Sequence, residues 1–415
     1  MREREKIAHL LRRTGFACSP EEYKSALRLG YQGTVRNILQ RSTNYKLAEA
    51  PPATPVPPAV IPVTLFTFAQ GVLWWMKTLS TTVSPLNERL TMFWHRHFAT
   101  SGAKVFRPGW MFEQNQTFRN FGNGSFSDLL GKMVEDPALL LWLDAHNNPA
   151  SNPNENLARE LLELFTLGIG HYTEKDVKQL AKLTTGRRVV FGGRTPVHPK
   201  GEYDGPVMVL EKRGQLKLKQ VAKELAFHPA TAERMVEKLW EEFAACPLPE
   251  AEKKRLTRAW LSSRANVTVV LRAIFLSEHF FDAPEQRVSS PVEYWVACTR
   301  LLKSAEFKLD DTAFLQQAGE QLFFPPSVKG WDLGQAMIHP AALQTRMEIA
   351  NRVVSRLPED HFALRGLKTA ADPARYLSHL TCGQLKASTL PSNLADFPPR
   401  QALLLALAGP DMWLS

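Results

Sequence analysis

The spacing of apolar residues constrains this fold more than any other feature of the sequence, because it is helical over most of the chain. For example, Leu86, Leu90, Phe93, Trp94 and His97 recur at the intervals that bring side chains to one face of an α-helix. The pattern predicts a mainly α, multi-helix globular fold. A hydrophobic content of 44% and a charged content of 22% are ordinary for a globular protein, so disorder is not expected.

Breaks in this pattern divide the chain into predicted segments. Five prolines between residues 50 and 58 remove backbone donors and block helix continuation, which predicts an extended connector. Short β-like runs between turn residues predict a small inserted β-hairpin or sheet. The segments are an N-terminal helical pair (1–49), the proline-rich connector (50–62), a main helical body carrying the candidate site (63–187), the basic β insertion (188–218) and a C-terminal helical part packed with the main body as one domain (219–415).

Positive charge is concentrated in one part of the chain. The net charge is +10, and the segment from Lys178 to Lys223 holds eleven Lys and Arg residues against three acidic residues. Such a segment can bind a polyanion, or it can be an ordinary solvated surface. No phosphate-binding loop or zinc finger accompanies it, so a nucleic-acid partner is only weakly indicated.

Membrane insertion and disulfide bonding are both unsupported by the sequence. No stretch approaches the roughly 20 apolar residues that cross a bilayer, and residues 1–6 carry charges of both signs instead of a signal peptide. We therefore expect no membrane span and a cytoplasmic location. The four cysteines form no CxxC pair, so we expect reduced, mostly packed thiols.

Eight short strings are distinctive in their order and cover most of the chain. They are residues 10–16 (LLRRTGF), 90–98 (LTMFWHRHF), 154–168 (NENLARELLELFTLG), 172–177 (YTEKDV), 228–231 (HPAT), 290–294 (SPVEY), 324–326 (FPP) and 330–331 (GW). In these strings the chain resembles the bacterial family called domain of unknown function 1800.

The resemblance implies a largely helical fold and no particular chemistry. Some relatives are described beside a second uncharacterised family, which implies a protein partner. The chain departs from the family pattern at Arg187, where tryptophan is common, and in the segment after Trp331. If these positions line the family's site, this member is altered or inactive there.

The string 154–168 predicts a helix with an unusually polar face. Asn156, Glu160 and Glu163 fall on one side, and two carboxylates one turn apart can share a metal or divide acid and base roles. Alternatively, Arg159 forms surface ion pairs with acids four residues before and after it. The amides of Asn154 and Asn156 on the same stretch favour a functional interpretation.

Two further groups of polar residues are candidates for the same site. His95 and His97 could be metal ligands, but on a helix they point about 200° apart, so a shared site requires the helix to end before His95. The alternative is a buried, hydrogen-bonded His97 with His95 near a helix C-terminus. Asp144 and Asn147 lie in the loop before the helix of the string 154–168. They either lie beside the N-terminus of that helix or are ordinary turn residues.

These residues give three functional hypotheses. In the leading one, His95 or His97, Asp144, Glu160 and Glu163 form the site of a metal- or carboxylate-dependent enzyme acting on a polar or anionic substrate. Arg159 would be an orienting partner in this site. Iron, manganese or zinc would suit its mixture of nitrogen and oxygen ligands. The alternative is a non-catalytic helical adaptor that binds a partner protein. The third is polyanion binding through the basic segment.

Overall fold

The fold of the chain, taken from a computed structural model, is mainly α-helical as predicted. The structure describes residues 1–47, 49–53, 61–190, 197–199, 201–282, 287–304, 307–332 and 334–414. Within these ranges it contains twenty α-helices, five short 3₁₀-helices and two small sheets.

Ten helices precede the sheets. They are α1 (Glu3–Gly15), α2 (Pro20–Thr43), α3 (Ile61–Thr81), α4 (Pro85–His97), α5 (Gly102–Val105), α6 (Pro108–Phe121), α7 (Phe126–Met133), α8 (Pro137–Trp142), α9 (Asn156–Glu163) and α10 (Glu174–Leu183). Several begin where the sequence provides a start signal. The Ser19 side chain accepts a hydrogen bond from the Glu22 amide at the start of α2, for example, and Pro20 follows in the first turn.

The predicted β insertion is confirmed as two antiparallel hairpins. The first pairs β1 (Arg187–Val189) with β2 (Val197–Pro199), and the second pairs β3 (Val207–Val209) with β4 (Lys212–Gly214). Residues 191–196 and 200 of the insertion lie outside the described residues, as do residues 54–60 of the predicted proline-rich connector.

Ten helices follow the sheets. They are α11 (Leu218–Leu225), α12 (Pro229–Phe243), α13 (Glu250–Ser262), α14 (Val267–Phe275), α15 (Pro291–Leu302), α16 (Leu309–Gln317), α17 (Pro340–Ser355), α18 (Phe362–Thr369), α19 (Pro373–Leu380) and α20 (Pro399–Ala408). The 3₁₀-helices cover Glu278–Phe281, Gly334–Met337, Ala387–Thr389, Leu394–Asp396 and Pro410–Met412.

The apolar residues form two hydrophobic clusters that meet along α4. One cluster contains Trp94 and residues of α6 to α14, and the other contains Trp75, Trp295 and residues of the C-terminal helices. Every residue of α4 from Leu86 to His97 is buried, the charged ones included. Burying a charged group costs free energy unless the group is paired. The charged side chains of α4 therefore need partners on neighbouring elements.

The N-terminal helical pair packs against the rest of the chain. α1 and α2 contact each other, and both also contact α4. The His9 ring lies edge-on to Phe280, with 5.0 Å between ring centroids. The boundaries of the five segments remain predictions.

None of the described helices combines the length and the apolar composition that a bilayer crossing requires.

Candidate functional site

A cleft with a volume of about 1040 Å³ lies where α4, α12 and α15 approach one another. This volume is just above the range of roughly 300–1,000 Å³ for small-molecule sites. Its lining mixes aromatic, cationic and acidic side chains. It includes Phe93, Arg96, His97, Lys238, Trp240, Glu242, Arg287, Glu293, Lys329, Trp331 and Asp332.

A buried cluster of three arginines and two glutamates underlies the cleft. Arg89 and Arg96 come from α4, Glu242 from the end of α12, Arg287 from the segment before α15, and Glu293 from the first turn of α15. Each is at most 9% exposed. Arg89 does not line the cleft itself, whereas the other four do. The cluster therefore joins the elements that form the cleft.

Hydrogen bonds satisfy most of the cluster. The Arg287 guanidinium donates to Glu293 Oε2 at 2.7 Å and to Glu242 Oε1 at 2.9 Å, and Arg96 Nη2 donates to Glu242 Oε2 at 2.7 Å. Arg89 Nε donates to Glu242 Oε1 at 3.1 Å. Both carboxylates are thus held by charge-assisted hydrogen bonds, which fixes their position within the cluster.

The charges of the cluster control the protonation of its carboxyl groups. Burial alone would raise the pKa of Glu242 and of Glu293, but the arginines outweigh it and hold both pKa values below their usual range. Both glutamates are therefore ionised at neutral pH.

Lys238 and His97 form a hydrogen-bonded pair on the wall of the cleft. Lys238 Nζ lies 3.1 Å from His97 Nδ1, and His97 Nε2 lies 3.2 Å from the backbone oxygen of Phe165. A carbonyl oxygen only accepts, so His97 Nε2 carries the proton and donates it, which leaves Nδ1 as the acceptor for Lys238. The Phe165 carbonyl thereby fixes the imidazole tautomer that receives a hydrogen bond from the lysine.

The pKa values of both members of this pair are lowered. Burial, followed by the charge of Arg234, lowers the pKa of Lys238 to about 8. Burial, followed by the charge of Lys238, holds the pKa of His97 well below its usual range. In the part of the chain that the structure describes, no carboxylate lies within ion-pairing distance of Lys238. The cleft therefore contains an amine that is about one-tenth uncharged at pH 7 and about half uncharged at pH 8.

Local sequence explains why Lys238 faces the cleft. The His228 side chain caps α12 by accepting a hydrogen bond from the Ala230 amide, and Pro229 occupies the first turn. The apolar side of α12, which includes Met235 and Leu239, is fully buried. Lys238 and Glu242 are four residues apart, so they share the side of the helix that lines the cleft.

The loop that carries Trp331 closes another side of the cleft. Gly330 has φ +84°, and a Cβ there would lie 3.1 Å from the Arg96 backbone oxygen. Glycine thus permits both the left-handed backbone and the close approach to α4. Trp331 packs against His95, with 5.4 Å between ring centroids, and Asp332 joins the lining. The sequence departure after Trp331 therefore falls in the cleft.

The predicted carboxylates of α9 lie beside the cleft and are not among the residues that line it. Glu163 Oε2 accepts a hydrogen bond from the Tyr172 hydroxyl at 2.7 Å. Glu160 is half-buried, and burial, followed by the charge of Glu163, raises its pKa. Arg159 is held by Glu155 and Glu174, at 3.0 and 2.6 Å. The ion pair predicted between Arg159 and Glu155 is present, whereas Glu163 is bonded to Tyr172 instead.

His95 and His97 have separate surroundings. α4 continues through both, so the early helix end that a shared metal site requires does not occur. His95 Nε2 accepts a hydrogen bond from the Phe323 amide at 3.1 Å, and burial lowers its pKa to about 3. Among the described residues, no group of three or more His, Cys, Asp and Glu side chains is arranged to hold a metal. A metal at His95, His97, Glu160 and Glu163 stays a prediction.

The loop before α9 is held by local contacts. Asp144 has φ +55° and forms a half-exposed ion pair with Lys104 at 2.7 Å. The backbone amide of Asn147 donates a hydrogen bond to the Arg187 backbone oxygen at 2.9 Å. The Asn154 side-chain oxygen accepts from the Asn156 amide at 2.8 Å. The contacts of Asp144 and Asn147 agree with the alternative given above, in which both are ordinary turn residues.

None of the described residues of the basic segment, Arg187 included, lines the cleft. Four of the lysines in the segment form ion pairs with carboxylates, and these lysines are Lys212, Lys217, Lys219 and Lys223. Arg187 is buried, with Nη2 3.3 Å from Glu202 Oε1. The departure at Arg187 thus bears on packing of the sheet region, whereas the departure after Trp331 bears on the cleft.

Sequence reasoning identified His97 but not the other residues of the cleft. Two signals were available for the cluster. Arg89, Phe93 and Arg96 are spaced so that two charges share one helix face with an aromatic residue, and Glu293 lies in the string 290–294. No signal marks Lys238, because its partner His97 is 141 residues away in the sequence.

The comparisons with known proteins agree with the sequence analysis and add no activity. The family model described as "Protein of unknown function (DUF1800)" matches residues 9–414. The comparisons with curated proteins and with solved structures each found no match.

Proposed function

Since this chain belongs to the DUF1800 family, whose description states no activity, we propose from its cleft that it is an enzyme acting on a polar substrate by proton transfer. The observation that carries the proposal is the relay from Lys238 through His97 to the Phe165 carbonyl in the wall of a cleft of about 1040 Å³. A base held by a second group that is itself held by a third is typical of acid–base sites.

In this proposal Lys238 is the general base and then the general acid. A lysine with a pKa of about 8 has about one amine in ten uncharged at pH 7, whereas an ordinary lysine is almost fully protonated. The uncharged amine removes a proton from the substrate, and the resulting ammonium returns one. His97 positions the amine through Nδ1, because its own Nε2–H is committed to the Phe165 carbonyl.

The remaining cleft residues suit a polar ligand. Lys329 and Asp332 offer charges of both signs, and Phe93 and Trp331 offer apolar contact area. The arginine–glutamate cluster is internally paired, so we assign it a supporting role and not substrate binding. Glu160, whose pKa is raised and which interacts electrostatically with Lys329, is a second candidate acid or base.

A substrate screen with paired variants tests this proposal. Purified wild-type protein would be incubated with pools of amino acids, organic acids, sugars and sugar phosphates, and conversion followed by proton NMR. We expect Lys238→Met to lower any turnover found by about 100-fold or more, the usual contribution of a general acid or base. Lys217→Met removes an exposed lysine outside the cleft and should leave turnover unchanged. Full turnover by Lys238→Met would contradict the proposal.

The location and the partners are carried forward from the sequence. We propose a cytoplasmic location. The adaptor hypothesis and polyanion binding through residues 178–223 remain alternatives. The ion pairs made by Lys212, Lys217, Lys219 and Lys223 reduce the charge available to a polyanion.

A further inference from the structure

Two of the four cysteines lie against each other although 364 residues separate them. Cys18 lies between α1 and α2, and Cys382 follows α19. Cys382 Sγ donates to the Cys18 backbone oxygen at 3.2 Å, and the Cys18 thiol is within hydrogen-bonding reach of the Cys382 thiol. Both cysteines are free thiols.

The two thiols differ in their access to solvent. Cys18 is 1% exposed, and burial, followed by the contact with Cys382, raises the pKa of its thiol well above the usual range. Cys382 is only half-buried. An oxidant from solvent therefore meets Cys382 first, while Cys18 is protected from direct attack.

The backbone around Cys382 holds its thiol in place. Cys382 has φ +52° and Gly383 has φ +79°, and both belong to the turn that ends α19. The Cys382 amide donates to the His379 oxygen at 3.2 Å, and the Gly383 amide donates to the Ser378 oxygen at 2.8 Å. The turn thus holds Cys382 beside Cys18.

The other two cysteines have no thiol neighbour among the described residues. Cys246 Sγ donates to the His279 backbone oxygen at 3.4 Å. Cys298 is fully buried in α15, and burial raises its pKa to about 12. They serve as internal controls for thiol chemistry in the same molecule.

We propose that Cys18 and Cys382 are a redox-active pair that forms a reversible disulfide when a hydroperoxide reaches Cys382. The Cys382 sulfur attacks the peroxide oxygen, the O–O bond breaks, and Cys382 becomes a sulfenic acid while an alcohol leaves, or water when the oxidant is hydrogen peroxide. The Cys18 sulfur then attacks the Cys382 sulfur and the S–O bond breaks. The products are a disulfide and water, so two thiols are oxidised and one peroxide is reduced.

The disulfide would tie the N-terminal helical pair to the C-terminal helices. Because the closed loop spans nearly the whole chain, the cross-link would restrict the unfolded chain strongly and raise the unfolding temperature. Reduction by a dithiol would restore the two free thiols. The pair is distinct from the cleft and does not depend on the function proposed there.

Peptide mass spectrometry tests the pair. The folded full-length protein would be treated with hydrogen peroxide, alkylated under denaturing conditions and digested without reductant. We expect a cross-linked peptide joining Cys18 to Cys382, loss of two of the four alkylatable thiols, and recovery of both after dithiothreitol. Cys298→Ser should still form the cross-link, and Cys382→Ser should not.

Two results would overturn the proposal. One is conversion of Cys382 to sulfinic acid while Cys18 remains alkylatable, because a resolving thiol in contact would intercept the sulfenic acid first. The other is a disulfide between two chains through Cys382, visible as a dimer on a non-reducing gel. Since Cys382 is half-buried, Cys382→Ser is expected to fold, and its circular dichroism spectrum checks this.

Discussion

Glu293 shows how a single residue can serve several parts of the cleft at once. Its side chain accepts hydrogen bonds from Arg287 and from the Ser290 amide at the start of α15, and it lies 3.7 Å from Arg89 Nη2. The residue therefore belongs both to a helix cap and to the buried charge cluster. Removing its charge would leave buried guanidinium groups with one carboxylate for three cations.

We expect Glu293→Gln to lower the free energy of unfolding by about 3–5 kcal/mol, the usual cost of breaking a buried ion pair. Urea titration followed by circular dichroism would measure it. Glu359→Gln is the matched control, because Glu359 also pairs with an arginine but is 91% exposed, and its effect should be small. Equal effects of the two substitutions would contradict the role given to the cluster.

At the residue scale, the sequence identified charged side chains and their close partners, but not their distant ones. The ion pair of Arg159 with Glu155, four residues away in the sequence, was predicted, whereas its ion pair with Glu174 was not. The pairs that form the cleft join α4 to α12 and to α15 across more than a hundred residues. Helical spacing shows which face of its helix a residue occupies. It does not show which other helix packs against that face.

At the element scale, the beginnings of helices carry clear local signals. Ser290 followed by proline, with Glu293 three residues on, forms a capping box at α15. The string 154–168, which predicts a helix, is helical over only part of its length, since α9 begins at Asn156 and ends at Glu163. Gly168 has φ +85° and its amide donates to the Leu162 oxygen, so the chain turns before it.

Ser290→Ala should destabilise the protein by about 1–2 kcal/mol, because the side chain of Ser290 accepts the Glu293 amide at the buried start of α15. The same change at Ser19, whose capping box begins the half-buried start of α2, should cost less. Guanidinium unfolding of both variants measures the difference. A smaller loss for Ser290→Ala than for Ser19→Ala would contradict the coupling of this cap to the cluster.

The end of α6 permits a second test at this scale. A Cβ at Gly122 would lie 2.3 Å from the Trp94 ring and 2.4 Å from the Phe118 backbone oxygen, whereas at Gly124 the nearest atom is 3.6 Å away. Gly122→Ala should therefore displace Trp94 and cost about 1–3 kcal/mol, as overpacking usually does. Gly124→Ala is the control. Unfolding temperatures of both variants equal to that of the wild type would contradict the close packing of Trp94 in α4 against Gly122 at the end of α6.

At the scale of the whole molecule, buried neutral histidines make stability depend on pH. Burial lowers the pKa of His95 to about 3 and that of His9 to about 2, compared with about 6.5 in the unfolded chain. Below pH 6.5 the unfolded state binds protons that the folded state does not. The stabilisation is thus complete above this pH and is lost as the pH falls towards the folded-state values.

We expect the free energy of unfolding to fall between pH 7 and pH 5, and to fall less in His95→Gln, whose amide oxygen can still accept the Phe323 hydrogen bond. Each buried histidine contributes at most about 1.4 kcal/mol per pH unit below 6.5. His379→Gln, at an exposed position, should behave as wild type. Urea midpoints at the two pH values provide the measurement, and an unchanged pH dependence in His95→Gln would contradict it.

The fold class, the inserted hairpins and the family were predictable from the sequence, because each depends on local patterns spread along the chain. The cleft was not, because it forms where segments distant in sequence meet. The predicted carboxylates Glu160 and Glu163 lie beside it, and of the two predicted histidines only His97 lines it. Helical periodicity placed His97 on the buried side of α4, but only the folded chain brings Lys238 to its Nδ1.

The pKa of Lys238 tests the central claim most directly. Folded protein would be labelled with trace acetic anhydride across a range of pH, and the acetylation of each lysine measured by peptide mass spectrometry. We predict that labelling of Lys238 rises with a midpoint near pH 8, well below the value of about 10.4 for a lysine in an unperturbed peptide. A midpoint for Lys238 at that unperturbed value would contradict the account, because the amine would then be almost fully protonated at neutral pH and offer no base to a substrate.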